Sequence, residues 1–119
     1  MARILIIEDN EQNLYLETFI LQKNGHEVIQ ASNGESGIAQ AARELPDLIL
    51  LDIQLPGMDG YEVAKALRSN PAIVHIPIIA VTSYAMTGDR EHILASGCTS
   101  YIEKPINPDT FHAEISQFL

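Results

Sequence analysis

The sequence predicts an α/β domain built on one mainly parallel, doubly wound sheet with strand order 2-1-3-4-5. Three observations carry that expectation. Five apolar runs alternate with five helical patterns along the 119 residues, as in chains that wind successive βα units. Three of the runs are apolar throughout and two are mixed, which separates interior strands from edge strands. The composition, 46% hydrophobic and 19% charged, supports a single core, and the length is too short for two ordinary domains. Residues 1–119 therefore read as one domain.

The elements follow in order. Residues 4–7 form the first run, and a first helix is expected at about 10–24, closed by Gly25, where a helix can stop and turn. The second run, 26–31, is more polar. After Asn33, apolar Ile38, Ala41, Ala42 and Leu45 line one helix face. Residues 48–51 are the third run, and Val63, Ala64 and Leu67 mark the third helix. The fourth run spans 78–81. A fourth helix is expected at 88–96, before Gly97, although Thr87-Gly88-Asp89-Arg90-Glu91-His92 gives it little apolar support. The fifth run, 99–102, is short and polar. Asn107-Pro108 reads as a cap followed by proline at the first helical position, and Phe111, Ile115, Phe118 and Leu119 mark the last helix. Runs one, three and four are thus interior and runs two and five are edges. Right-handed crossovers then favour the stated order.

Charge and cysteine content narrow the function. Seven Lys+Arg against sixteen Asp+Glu give a net charge of −9. Such a surface repels phosphate backbones and anionic membranes, so no direct nucleic-acid partner is expected. The single cysteine, Cys98, excludes an internal disulfide and a multi-cysteine metal site, and fits a reducing, cytoplasmic setting. It reads as a small buried hydrophobe. The run at 4–7 is too short for a signal peptide or a membrane helix. His26, His75, His92 and His112 show no metal spacing and read as structural or surface residues. Met58 and Met86 fall in expected loops, where packing or partner contact explains them.

In open α/β sheets, function gathers at the carboxyl ends of the strands. The first strand ends in Glu8-Asp9, the third in Asp52 and the fourth in Thr82-Ser83, and the fifth is followed by Lys104-Pro105. The expected sheet sets these ends side by side, so three carboxylates, a hydroxyl and an ammonium share one cleft. Close carboxylates repel unless a cation joins them. An oxygen-only ligand set with water suits Mg²⁺. Lys104 and the Thr82 hydroxyl can receive phosphoryl oxygens, and an aspartate so placed can attack phosphorus. Positioning and charge neutralisation would supply most of the catalysis.

These residues, at these strand ends, resemble the receiver domain of two-component response regulators. The stretch Asp52-Ile53-Gln54-Leu55-Pro56-Gly57-Met58-Asp59-Gly60 resembles the family's loop after its phosphoacceptor. Ile76-Pro77-Ile78-Ile79-Ala80-Val81-Thr82 resembles its fourth strand. Gly97-Cys98 and Tyr101-Ile102-Glu103-Lys104-Pro105-Ile106 resemble the fifth strand and its loop. The likeness covers essentially the whole chain and implies a flavodoxin-like (βα)5 fold.

The resemblance implies a role for each residue. Asp52 takes a phosphoryl group from a phosphohistidine on a histidine kinase or histidine phosphotransfer protein. Asp9, Asp52 and the Gln54 backbone carbonyl ligate Mg²⁺, with Glu8 reaching it through water. Lys104 and Thr82 hold phosphoryl oxygens, and Tyr101 occupies the aromatic switch position, moving inward as Thr82 turns. The Lys104–Pro105 bond is expected to be cis. The face of helix 4, strand 5 and helix 5 then changes its affinity for a downstream protein effector. The activity so implied is self-phosphorylation and slow self-dephosphorylation, with no metabolite turned over. Gln54 stands where a shorter Asn is common in the family, and Tyr84 lies two residues after Thr82. Both border the path of the hydrolytic water in family members. The expectation is that Tyr84 restricts that water and lengthens the phosphoryl lifetime. Glu8-Asp9-Asn10-Glu11-Gln12-Asn13 and Ala85-Met86-Thr87-Gly88-Asp89 resemble stand-alone cell-division-type regulators and hybrid-kinase receivers equally. The start at Met1 and the lack of an output domain favour the former.

Simpler readings stand beside these. Taken alone, Glu8-Asp9 could be solvated acids at a helix N-terminus and Asp52 could begin a turn. Thr82 could be an ordinary β-branched strand residue, Lys104 a surface lysine, and Tyr101 a half-buried edge-strand ring. Their conjunction at adjacent strand ends favours the functional reading. A flavin or dinucleotide binder needs a first loop that welcomes phosphate, and Glu8-Asp9-Asn10-Glu11 repels it. A dehalogenase-type phosphohydrolase resembles Asp-x-Asp after the first strand. Here Asp52-Ile53-Gln54 follows the third and lacks the second acid. A P-loop motif is absent. The rival that survives is a pseudo-receiver, a protein-binding module that never accepts phosphate.

Overall fold

The computed structural model describes residues 1–83 and 86–119, Thr87 by its backbone alone. Five strands, β1 (Arg3–Ile7), β2 (Glu27–Ala31), β3 (Leu48–Asp52), β4 (Ile78–Thr82) and β5 (Ser100–Glu103), form one parallel sheet. They alternate with α1 (Glu11–Lys23), α2 (Gly34–Glu44), α3 (Gly60–Arg68), α4 (Thr87–Ala95) and α5 (Phe111–Ser116). The order is β2-β1-β3-β4-β5, as the apolar runs predict. Every residue of β3 and β4 is buried, whereas β2 and β5 are partly exposed. That is the contrast expected of strands covered on both faces and strands at an edge.

Successive side chains of the interior strands point to opposite faces and build two cores. Leu5, Ile7, Ile49, Leu51, Ile78 and Ala80 pack with Ala41, Val63, Ala64 and Leu67 from α2 and α3. Ile4, Ile6, Leu48, Leu50, Ile79 and Val81 pack with Ile20, Leu21, Phe111 and Ile115 from α1 and α5. Cys98 is free and buried in the first cluster, where burial pushes its thiol pKa up. Met58 packs against the same cluster, while Met86 is exposed.

The helices begin where the sequence offers caps. Asn10, Asn33 and Asp59 each accept a backbone N–H three residues ahead, from Asn13, Ser36 and Glu62. Gly25 and Gly97 take φ of 84° and 116° at the chain reversals after α1 and α4. Several boundaries differ from expectation, α4 among them by one residue. His26 N–H donates to the Leu21 carbonyl at 3.1 Å, so β2 starts at Glu27. The fifth strand runs one residue later than expected, to Glu103. Asn107 makes the contacts expected of a cap: its Oδ1 accepts the Asp109 N–H at 2.9 Å and its carbonyl accepts those of Thr110 and Phe111. Residues 108–110 form a turn, however, and α5 starts at Phe111.

Arg68, at the end of α3, ties three segments together. Its guanidinium donates to the carbonyls of Gly97 (2.8 Å), Ile76 (2.8 Å), Val74 (3.1 Å) and Ile73 (3.3 Å) and to Thr99 Oγ1 (3.3 Å). The sequence pattern does not show this, because every partner but one is backbone. Arg68→Ala is expected to lower stability by about 2–3 kcal/mol in urea denaturation, since several carbonyls lose a charged donor at once. A loss below about 0.5 kcal/mol would mean that water replaces the guanidinium freely.

Candidate functional site

The strand register brings the reactive side chains to one edge of the sheet. Ile7 lies beside Leu51, Asp52 beside Val81, and Thr82 beside Glu103. The residues that follow β1, β3, β4 and β5 therefore emerge together. The Glu8 N–H still donates to the Ala31 carbonyl at 3.0 Å, which holds the chain in the sheet for one more residue. Its side chain is buried, Asp9 is exposed, and the Asn10 cap then starts α1. Asp52 is the last residue of β3 and 3% exposed.

One oxygen from each of Glu8, Asp9 and Asp52 falls within 4.8 Å of the others. Lys104 Nζ lies 3.0 Å from Glu8 Oε1 and 3.1 Å from Asp52 Oδ1. Its backbone is set by an N–H bond to the Thr82 carbonyl at 2.8 Å and by a cis bond to Pro105, the isomer expected. Burial raises the Glu8 pKa to about 7, and the neighbouring Asp52 adds to the rise while Lys104 opposes it. Burial by itself would lower the Lys104 pKa, but Asp52 and Glu8 outweigh it and hold the ammonium above its ordinary value. The buried Glu8 Oε1 has no well-aligned hydrogen bond among the described residues. Buried carboxylate oxygens gathered in an all-oxygen cluster are the donor chemistry of a hard divalent cation.

Gln54 bridges two loops. Its N–H donates to Asp52 Oδ1 at 3.0 Å, and its Oε1 accepts the Ser83 N–H at 3.0 Å. The residue after Thr82 is thereby tied to the loop after β3. Thr82 itself is fully buried at the end of β4. Tyr101 is not brought to the acidic cluster. It lies on β5 beside Ala80, half-buried, with the Arg90 guanidinium 5.4 Å from its ring centroid. Tyr84, on which the expectation of a long phosphoryl lifetime rests, lies outside the described residues.

A fourth acid went unread in the sequence. Glu17 is 1% exposed on α1, on the same side as buried Ile20 and Leu21. The signal was available, because Glu17 sits three residues after Leu14 and three before Ile20 on one helix face. Burial raises its pKa to about 8, with Glu8 and Asp52 adding to the rise and Lys104 opposing it. The folded protein then binds a proton at Glu17 that the unfolded chain gives up above the ordinary carboxylate range. The associated stability is full below that range and lost as pH rises through about 8. Glu17→Gln is expected to gain on wild type by on the order of 3 kcal/mol between pH 5 and pH 8.5. Urea midpoints at the two pH values check this. A constant gap would mean that Glu17 is ionised throughout.

The fold and site define a class: a doubly wound parallel α/β domain that presents an acidic cluster and a lysine at the carboxyl ends of its central strands. The chain belongs to the response regulator receiver domain family, which matches residues 4–116. It is 44% identical over 116 residues to the polar-differentiation response regulator DivK of Brucella anthropi, covering 98% of this chain and 94% of that one. Among solved structures, the Vibrio cholerae chemotaxis protein CheY4 superposes with a TM-score of 0.95 at 29% identity, covering 100% and 99% of the two chains. The receiver domain of the Pseudomonas aeruginosa sensor histidine kinase PA1611 superposes with a TM-score of 0.91 at 32% identity, covering 98% and 96%. That structure has a magnesium ion coordinated in its active-site cleft. The chain is therefore a two-component signalling receiver. No described helix is long and apolar enough to cross a membrane.

Proposed function

We propose that this chain is a phosphorylation-controlled switch in a phosphorelay, with Asp52 as phosphoacceptor. The observation that carries the reading is the Lys104 ammonium held between Glu8 and Asp52, beside Asp9. A lysine drawn that close to Asp52 is placed to meet the charge of a phosphoryl group arriving there. A carboxylate oxygen of Asp52 attacks the phosphorus of a phosphohistidine on a histidine kinase or histidine phosphotransfer protein. The P–N bond breaks and its electron pair stays on the imidazole nitrogen. Lys104 and Thr82 take phosphoryl oxygens.

Glu8 (through water), Asp9, Asp52 and the Gln54 carbonyl would hold Mg²⁺. When bound, the ion neutralises charge between the carboxylates and the incoming phosphoryl group. The magnesium in the related PA1611 receiver supports the choice of metal. The chain so read catalyses its own phosphorylation and slow dephosphorylation. Thr82 and Tyr101 pass the change to the face of α4, β5 and α5, which alters affinity for a downstream protein effector. A net charge of −9 supports a protein partner over nucleic acid, in the cytoplasm.

Intact-protein mass spectrometry after incubation with acetyl phosphate tests this. One Mg²⁺-dependent phosphoryl adduct is expected on wild type and none on Asp52→Ala. No adduct from acetyl phosphate or from a phosphorylated kinase would overturn the reading in favour of a phosphorylation-independent binding module.

A further inference from the structure

At the other end of the strands, two imidazoles meet. His26, between α1 and β2, and His112, in α5, approach Nε2 to Nε2 at 2.8 Å. The Ala2 N–H, at the start of β1, donates to His26 Nδ1 at 3.0 Å. Ala2 also accepts the Glu27 N–H at 2.9 Å, so this backbone is anchored in the sheet.

These contacts dictate the protons. A backbone amide can only donate, so His26 Nδ1 carries no hydrogen and its proton lies on Nε2. That proton points at His112 Nε2, which must accept, leaving the His112 proton on Nδ1. Both rings are neutral, and both bonds run in one direction. A further proton cannot be accommodated. Placed on His26 Nδ1, it faces the Ala2 N–H; placed on His112 Nε2, it faces the His26 Nε2–H. Each outcome sets donor against donor and breaks a contact. The same logic disfavours a transition metal between the rings, because a metal on His26 Nε2 with Nδ1 still accepting requires an imidazolate.

We propose that His26 and His112 form a proton-operated clasp, which holds α5 against the starts of β1 and β2 while both rings are neutral and releases it when either is protonated. The clasp is a second input to α5, separate from the phosphoryl site at the opposite edge of the sheet. The surroundings keep the His26 ring neutral. The Met1 amino group repels a charged His26. Asp47 lines the same 460 Å³ cavity as His26, but its Oδ2 is engaged by the Arg3 N–H at 2.8 Å. Glu27 is paired with Arg3 at 3.5 Å, and Glu114 accepts from Thr110 Oγ1 at 3.0 Å. Burial lowers the His26 pKa, with His112 and the Met1 amino group adding to the fall. The stability from neutral His26 is therefore full above the ordinary imidazole pKa and lost as pH falls through the lowered value.

Nitrogen-15 NMR of the wild-type histidine rings tests the tautomers directly. At pH 8 the proton is expected on Nε2 of His26 and on Nδ1 of His112. On acidification, exchange protection of the 111–116 amides, corrected for intrinsic rate, is expected to fall about tenfold relative to β3. The double variant His26→Gln/His112→Gln should show no such fall. Its melting midpoint should drop less than that of wild type between pH 7.5 and pH 5, by on the order of 5 °C. A proton on His26 Nδ1 at pH 8, or an equal pH response in the double variant, would overturn the clasp. Should the double variant not fold, the wild-type tautomers and protection decide alone.

Discussion

Lys104→Ala is expected to destabilise the protein by about 3 kcal/mol at pH 8, because it leaves two buried carboxylates without their cation. Glu8 is 1% exposed and Asp52 3% exposed, and the ammonium reaches them at 3.0 and 3.1 Å. The effect is expected to shrink towards pH 6. Glu8 titrates at about 7 even with Lys104 present. Without the lysine its pKa rises further, and it takes up a proton that relieves the repulsion. Saturating Mg²⁺ is expected to narrow the gap at pH 8, since a cation among Glu8, Asp9 and Asp52 replaces the missing charge. Urea denaturation of wild type and variant, at both pH values and with and without Mg²⁺, reads all three effects. A loss that is independent of pH and metal would mean that the aliphatic stem, rather than the charge, stabilises the fold.

Gly60→Ala strikes the same site through the backbone. Gly60 opens α3 directly behind the end of β3, and its N–H donates to the Ile53 carbonyl at 3.0 Å. A Cβ there would lie 2.7 Å from the Asp52 carbonyl oxygen and press on the Ile53 backbone. Neither atom belongs to a side chain that can swing aside, so the strand end or the helix must move. The expected cost is about 3 kcal/mol, and the movement displaces Asp52 from Lys104. Phosphorylation from acetyl phosphate should slow in the variant even where it is fully folded. Gly57→Ala is the control. Its φ of 74° is strained for alanine, but beyond its chain neighbours no atom of the described residues lies within 4 Å of the added Cβ, so a loss of about 1 kcal/mol is expected. Equal losses at the two positions would mean that conformation, not the close approach, makes Gly60 necessary.

Much of this molecule is legible without coordinates. The apolar runs at residues 4–7, 48–51 and 78–81 read as interior strands, because a strand covered on both faces has no solvent side on which to place polar residues. Order 2-1-3-4-5 then follows from the polar character of the other two runs and from the hand of the crossovers. Glu8, Asp9 and Asp52 could be named because a charge at the end of an apolar strand has few structural explanations, and Lys104 because the strand order sets its loop beside them.

Tertiary structure decided the rest, for reasons that are physical rather than accidental. Whether Lys104 pairs with Glu8, with Asp52 or with both depends on the loop after β5, which no periodicity describes. Glu17 looks like any helical glutamate until α1 lies on the sheet and removes its water. Arg68 bonds mostly to carbonyls, and every residue carries one, so no pattern of side chains announces its partners. His26 and His112 are 86 residues apart and show no spacing at all. Local periodicity records which face of an element is covered. Which polar atoms meet across the covered faces is set only when the elements pack, and there a buried carboxylate finds its lysine and one imidazole finds another.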